Sequence, residues 1–309
     1  MNNEQSNLSS IRQAFGDTLY NLASINPNIY VVNADLKGSL FLDKFAAKYP
    51  RRFIECGVAE NNAAGVAAGL SKTGKTVFLT SFACFSPSIN WAVIKQSICY
   101  NNANVKIVGS HAGLLSTDLG ATHQMLEDVA LMRSLPNMEV FAPLDALETE
   151  KIVSVLAYTP TPAYLRLVRP PTPLLFDRNL NFTIGKSHVL QKGDYATILG
   201  YGPVLLELFK LTDLSLEIVN CSSIKPLDEK TILKSVSKTG RLLVLEDHQK
   251  NGGLGEAVAS LILSSGIKTK FAHLAVNNSF GQSAKDAQPL YDYYGLGLKN
   301  IINTLRNLL

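Results

Sequence analysis

Ile11-Arg-Gln-Ala-Phe-Gly-Asp-Thr-Leu-Tyr-Asn-Leu-Ala-Ser-Ile25, followed across Asn26-Pro27-Asn28 by Ile29-Tyr-Val-Val-Asn-Ala-Asp35, is the stretch that decides the fold. In its first part Ile11, Ala14, Phe15, Leu19, Leu22 and Ala23 recur at helical spacing, which predicts a helix over 11–25. In its second part a short apolar run ends abruptly in polar residues. The same alternation continues outward. Short apolar runs at 76–79, 105–108, 139–141 and 164–168 alternate with helical patterns near 41–49, 59–71, 88–100, 126–135 and 146–158. Strands alternating with helices predict a parallel sheet covered by helices on both faces.

Pro170-Pro-Thr-Pro173 breaks that rhythm, and three prolines so close together favour an extended connector. Beyond it the alternation resumes, with strands expected at 196–199, 216–219, 241–245 and 270–274 and helices at 204–211, 228–236, 255–263 and 299–308. The expected architecture is two tandem three-layer α/β/α domains with mostly parallel sheets. The first spans residues 1–170, a linker follows over 171–185, and the second spans 186–309. Asn251-Gly-Gly-Leu-Gly-Glu256 has the look of a dinucleotide loop, but Val258 stands where a third glycine is required, so it reads as a turn into a helix.

Composition excludes several classes of function. Of the 309 residues, 46% are hydrophobic and 17% charged, enough apolar material for a sizeable core. The net charge is only +4 and no Lys/Arg run has the density of a nucleic-acid surface. The longest charge-free stretch, 76–94, holds Thr80, Ser81, Ser86, Pro87, Ser88 and Asn90 and is a poor membrane span. Cys56, Cys84, Cys99 and Cys221 show neither paired nor metal-knuckle spacing, and reduced thiols are expected. The polar start of the chain has no signal pattern. A soluble, cytoplasmic protein is the expectation.

In a parallel α/β sheet, ligands bind beyond the carboxyl ends of the strands. Glu60 lies in one such segment and opens a helix of Ala63, Ala64, Gly65, Ala67, Ala68 and Gly69, thin enough for close approach. From position alone a first-turn carboxylate complements the helix dipole at the surface. At the mouth of a close-packed element it is desolvated instead, which suits proton-transfer work. Phe82 and Phe85 follow the 76–79 strand and read either as core or as a pocket wall. His111 and His123 flank a long loop containing Asp118, a plausible setting for substrate contact, and no third ligand sits at a metal spacing. Arg12, Arg166 and Arg169 are candidate anion binders, Arg169 by its place at a strand end.

Read in order, Ser10-Ile-Arg-Gln-Ala-Phe-Gly16, Asn33-Ala-Asp-Leu-Lys-Gly-Ser39, Arg52-Phe-Ile-Glu-Cys-Gly-Val-Ala-Glu-Asn-Asn62, Thr80-Ser-Phe-Ala-Cys-Phe85, Gly109-Ser-His-Ala-Gly113, Gly120-Ala-Thr-His-Gln124 and Leu245-Glu-Asp-His248 resemble the pyrimidine-binding and carboxy-terminal domains of transketolases. The resemblance covers nearly the whole chain and is closest to the second subunit of the split, two-chain form. It implies a transferase, dependent on thiamine diphosphate, that moves a two-carbon ketol unit between sugar phosphates, as in pentose phosphate interconversion.

The resemblance also implies roles residue by residue. Glu60 matches the glutamate that holds the first ring nitrogen of the cofactor's aminopyrimidine, favouring the imino tautomer from which the thiazolium proton is removed. Phe85 matches the aromatic stacked on the pyrimidine, with Phe82 beside it, and Asp35 a supporting position near the cofactor. His111 and His123 match contacts to substrate hydroxyls. Arg12, Ser39 and Arg169 match the positions that bind the sugar phosphate. Two departures stand out. Leu119 replaces an Asp that judges a substrate hydroxyl in many members, leaving neighbouring Asp118 as a substitute or pointing to a deoxy or unusual sugar. Ser88 replaces a tyrosine of some members.

No Gly-Asp-Gly occurs in the chain. In the family that motif holds the diphosphate and its Mg²⁺ or Ca²⁺ in the amino-terminal domain, so the resemblance implies an amino-terminal partner subunit, an α₂β₂ heterotetramer and a cofactor shared across the interface. Three other readings share the fold: the β-subunit of a 2-oxoacid dehydrogenase, a deoxyxylulose-phosphate synthase fragment, and a non-catalytic scaffold. The phosphate set Arg12, Ser39 and Arg169 favours the transketolase branch.

Overall fold

The computed structural model describes residues 8–308, and its strands are numbered β1–β14 in chain order. A seven-stranded sheet runs Ser223–Lys225 (β12), Glu139–Phe141 (β6), Ala163–Arg166 (β7), Val105–Ser110 (β5), Thr76–Phe82 (β4), Ile29–Asn33 (β2) and Phe53–Glu55 (β3). All neighbours are parallel except β12, which is antiparallel to β6. A five-stranded sheet runs Lys270–Val276 (β14), Arg241–Gln249 (β13), Ala196–Gly200 (β10), Leu216–Asn220 (β11) and His188–Gln191 (β9), with β9 its one antiparallel member. The two α/β sheets are those the alternation predicts.

The central strands form because they are continuous apolar runs, which suits burial on both faces. Val31, Val77, Phe78, Ile107 and Val108 are fully buried. One face is covered by Ile11–Ile25 (α1), whose Phe15 and Leu19 pack with Phe78 and Ile152. Burying each such side chain contributes about 1.5–3 kcal/mol. The other face is covered by Glu60–Ser71 (α3), whose Ala63, Ala64, Ala67 and Ala68 pack with Val77, Leu79 and Ile98. Gly16 lets α1 settle on the loop before the 43–48 helix, since a Cβ there would lie 2.5 Å from the Phe41 carbonyl. That closeness carries Arg12 to Ser39.

Several expectations need correcting. The 204–211 helix is a 3₁₀ helix over Pro203–Lys210, entered through Gly202 at φ 69°. The 88–100 helix is a short α turn, Trp91–Val93, running into a π-helical turn, Ile94–Cys99. Strands β3, β9 and β12 and the helix Ala287–Tyr293 carry too little periodicity to be predicted. Thr172–Pro173 (β8) pairs with Leu8–Ser9 (β1), and the Leu175 and Phe176 amides donate to Asp145 Oδ2 at 2.8 and 2.9 Å. The proline-rich stretch is therefore fastened down. No helix among the described residues is long and apolar enough to cross a membrane.

Candidate active site

Glu60 sits in the first turn of α3 with 8% of its surface exposed, and its carboxyl makes no hydrogen bond among the described residues. Beside it, Asn90 donates to the Glu60 carbonyl and to Ser86 Oγ, both at 3.1 Å, while its own Oδ1 stays buried without a partner. Cys84 lies close enough for the Glu60 charge to help push its thiol up to about 11, after burial, so it is no thiolate nucleophile.

An aromatic wall continues from this carboxyl. Phe82 and Phe85 stack at 6.0 Å with their planes 13° apart. His111 lies on Phe82 at 3.9 Å, and His123 meets Phe85 edge-on at 5.5 Å. Both phenylalanines therefore belong to a wall faced by both histidines. His111 has a positive φ of 59°, a conformation that costs an L residue about 1 kcal/mol. Ser110 Oγ holds its Nδ1 at 3.0 Å, and its carbonyl accepts from Ser116 Oγ at 2.7 Å. Burial, then the nearby Arg12 and Arg169 charges and His123, lower the His111 pKa to about 3. At neutral pH it is an uncharged imidazole, able to donate one hydrogen bond and accept another.

The basic end of the site is formed by Arg12 and Arg169. Arg12 donates through Nε to the Arg169 carbonyl at 3.0 Å and through a terminal nitrogen to the Ser39 carbonyl at 2.6 Å. Burial, then the nearby Arg169 charge, lower its pKa. Arg169 in turn is ion-paired with Asp118, and both side chains reach solvent. Leu119 is half-buried next to that pair. Asp35 follows β2 in the left-handed region at φ 56° and is exposed, its amide donating to Glu55 Oε1 at 2.8 Å.

Arg166 does not bind anions. Its guanidinium is buried and paired with Asp128 at 3.0 Å, and it donates to the Asp247 carbonyl at 2.8 Å. Tyr164 donates to the same Asp128 carboxylate at 2.7 Å. Sequence reasoning also missed Glu55. Its carboxylate accepts from Asn33 Nδ2 at 2.6 Å, the Asp35 amide at 2.8 Å and the Gly57 amide at 3.1 Å, tying together two strand ends that bound the site. The pairing of Asn33 with Glu55 at neighbouring strand ends was the one available signal. The Glu246-Asp-His248 run serves packing: Glu246 accepts the Leu254 and Gly255 amides at the start of the 254–265 helix, and His248 Nε2 accepts the Ala130 amide.

Open clefts occur in other parts of the chain. A cavity of about 590 Å³ is lined by Tyr195, Leu211, Leu298 and Ile302, and one of about 300 Å³ by Glu127, Gln249 and Asn278. The residues flanking Glu60 and Phe85 are instead laid bare, Val58 at 81% and Ile89 at 55% exposure.

The transketolase pyrimidine-binding domain matches residues 9–173, and the transketolase C-terminal domain matches residues 185–301. The chain belongs to the transketolase family. One of the subunits of the apulose-4-phosphate transketolase of Phocaeicola vulgatus is 32% identical over 96% of this chain and 97% of that one. Human transketolase is 35% identical over 96% of this chain but only 49% of its own length, so the similarity covers one part of that longer protein. Among solved structures, a split-gene transketolase described as an inactive β₄ tetramer superposes with a TM-score of 0.88 at 37% identity, covering 97% of this chain and 98% of that one.

Proposed function

We propose that this chain is one subunit of a two-chain, thiamine-diphosphate-dependent transketolase that transfers a two-carbon ketol unit between sugar phosphates in the cytoplasm. The observation that carries the reading is Glu60: a nearly buried carboxyl, free of protein hydrogen bonds among the described residues, at the foot of a stacked aromatic wall. Leaving such a group unpaired is costly unless a ligand completes it, and a ring nitrogen of an aminopyrimidine lying on Phe85 would do so. The residues present thus fit the pyrimidine half of the cofactor.

Thiamine diphosphate, when bound, supplies the nucleophilic carbon and electron sink for cleaving a ketose beside its carbonyl. This chain's own groups bind and orient. Glu60 shares a proton with the pyrimidine nitrogen, Phe82 and Phe85 fix the ring plane, and Asp35 supports that end of the site. The neutral His111 imidazole and the His123 ring receive substrate hydroxyls. Arg12 and Arg169, with Ser39, take the phosphate, whose charge relieves the repulsion between the two guanidinium groups. The diphosphate and its Mg²⁺ or Ca²⁺ fall to an amino-terminal partner subunit in an α₂β₂ assembly. The uncovered surface around Val58 and Ile89 supports such a partner. The family match does not favour a 2-oxoacid dehydrogenase, a deoxyxylulose-phosphate synthase or a scaffold.

The position of Leu119 supports a second reading of the substrate. With Asp118 engaged by Arg169, no carboxylate at 119 is present to read a hydroxyl, which favours an unusual or deoxygenated sugar phosphate. The test is co-expression with the amino-terminal partner and an assay of ketol transfer from xylulose 5-phosphate with thiamine diphosphate and Mg²⁺. Wild type and Glu60→Gln are run side by side, with each subunit alone as control. Activity confined to the mixture and lost in Glu60→Gln is expected. Cofactor binding without turnover of common sugars would move the screen to modified sugars, and absence of cofactor binding would refute the proposal.

A further inference from the structure

The loop that carries Asp118, Leu119 and His123 is held by the second domain. At its start, the Leu114 amide donates to both Asp247 oxygens at 2.9 and 3.1 Å. Gly113 (φ 76°) permits this, because a Cβ there would come within 2.3 Å of Asp247 Oδ2. At its end, buried Gln124 donates from Nε2 to the Gln282 carbonyl at 3.0 Å, and to the Ser116 and Leu114 carbonyls at 3.3 and 3.5 Å. Between these points the Ala284 amide donates to the Thr117 carbonyl at 2.8 Å, and Gly120 rests on Ser283, whose Oγ lies 2.5 Å from where a Cβ would stand. Gly281 gives the closest approach: a Cβ there would lie 1.9 Å from Gln124 Oε1. Its backbone φ is not in the left-handed region, so alanine fits the chain and only the neighbour resists.

One amide side chain at the loop's end therefore reaches the Leu114 and Ser116 carbonyls at its start and the Gln282 carbonyl of the second domain, and Gly281 leaves room for it. We infer that the 281–284 segment of the second domain, acting through Gln124 as a positioning residue, sets where Asp118 and His123 stand and hence how tightly the sugar phosphate is held. The inference rests on the transketolase reading for the identity of the substrate, but not for the mechanical link. Displacing a substrate-positioning group by about 1 Å costs up to roughly 100-fold.

The experiment uses the two-subunit complex with Gly281→Ala, Gln124→Ala and the double variant. Gly281→Ala is expected to raise KM for the sugar phosphate about tenfold, with kcat and the apparent affinity for thiamine diphosphate held within about twofold of wild type, as for a loss confined to substrate binding. In the Gln124→Ala background the amide that clashes is gone and only the residue-124 Cβ remains, at 3.1 Å, so Gly281→Ala should add little further change. An unchanged KM in Gly281→Ala, an undiminished effect in the double variant, or a parallel loss of cofactor affinity would overturn the inference. Amide hydrogen exchange on this chain gives a readout free of catalysis, with faster exchange at 117–124 expected in Gly281→Ala and unchanged exchange counting against the link. If the wild-type complex transfers no ketol unit, the transketolase proposal fails while the exchange result still decides the link.

Discussion

Replacing Arg166 by Met separates two roles an arginine at a strand end can have. In the structure it is fully enclosed, pairs through Nε with Asp128, and reaches across to the Asp247 carbonyl in the second domain. Removing the cation leaves Asp128 buried and uncompensated except for the Tyr164 hydroxyl. Breaking a buried pair in this way costs about 3–5 kcal/mol, a large part of the 5–15 kcal/mol that typically holds a protein folded. Arg166→Lys keeps the charge but loses the planar fork, so it should fall between. Arg166→Met combined with Asp128→Leu removes both charges and should recover most of the loss. The assay is urea unfolding of the chain followed by far-ultraviolet circular dichroism, alongside steady-state kinetics of the complex. A change in stability below about 1 kcal/mol together with a raised KM for the sugar phosphate would refute the structural role.

Three further substitutions follow. Arg12→Met and Arg169→Met each remove charge-assisted bonds to a phosphate worth about 1.5–3 kcal/mol, so kcat/KM for a phosphorylated sugar should fall roughly 10- to 150-fold, and the same loss on an unphosphorylated sugar would contradict the assignment. Lys106 is buried in β5, donates to the Thr159 carbonyl at 2.6 Å and to that of Thr161, and burial pushes its pKa down to about 7. Between that value and the ordinary 10.5 the unfolded chain binds the extra proton, so stability rises with pH across this window. Lys106→Met should flatten that rise in urea midpoints taken at several pH values, and an unaltered slope would show that Lys106 is not its source.

Fold and site differ in how far they could be read from the chain. The central strands were legible because a parallel strand buried on both faces is largely apolar, as at Val77–Leu79 and Leu242–Leu245. Short edge strands such as β9 and β12 need only a few backbone bonds and leave no such mark. Phe82 ends a strand, and Glu60, Phe85 and His111 stand soon after one, where position alone draws attention, while His123 lies farther along the loop after β5. Arg166 shared that position but points into a domain contact whose partners, Asp128 and Asp247, lie far along the chain. Gln124 and Asp247 drew no attention for the same reason: each reaches across the domains, to Gln282 and to Leu114, and such a long-range contact carries no local period.

Strand β12 comes after the proline-rich stretch, yet it completes the first sheet, and its Lys225 ammonium is anchored on the Arg133 and Leu135 carbonyls at 3.0 and 2.5 Å. A chain cut or recombined at the proline-rich stretch would leave β6 as a bare edge, inviting strand exchange and aggregation. The crossover that divides the sequence most visibly is thus not where the protein comes apart, and any graft that swaps the second half for another must supply a strand able to pair with β6 in place of β12.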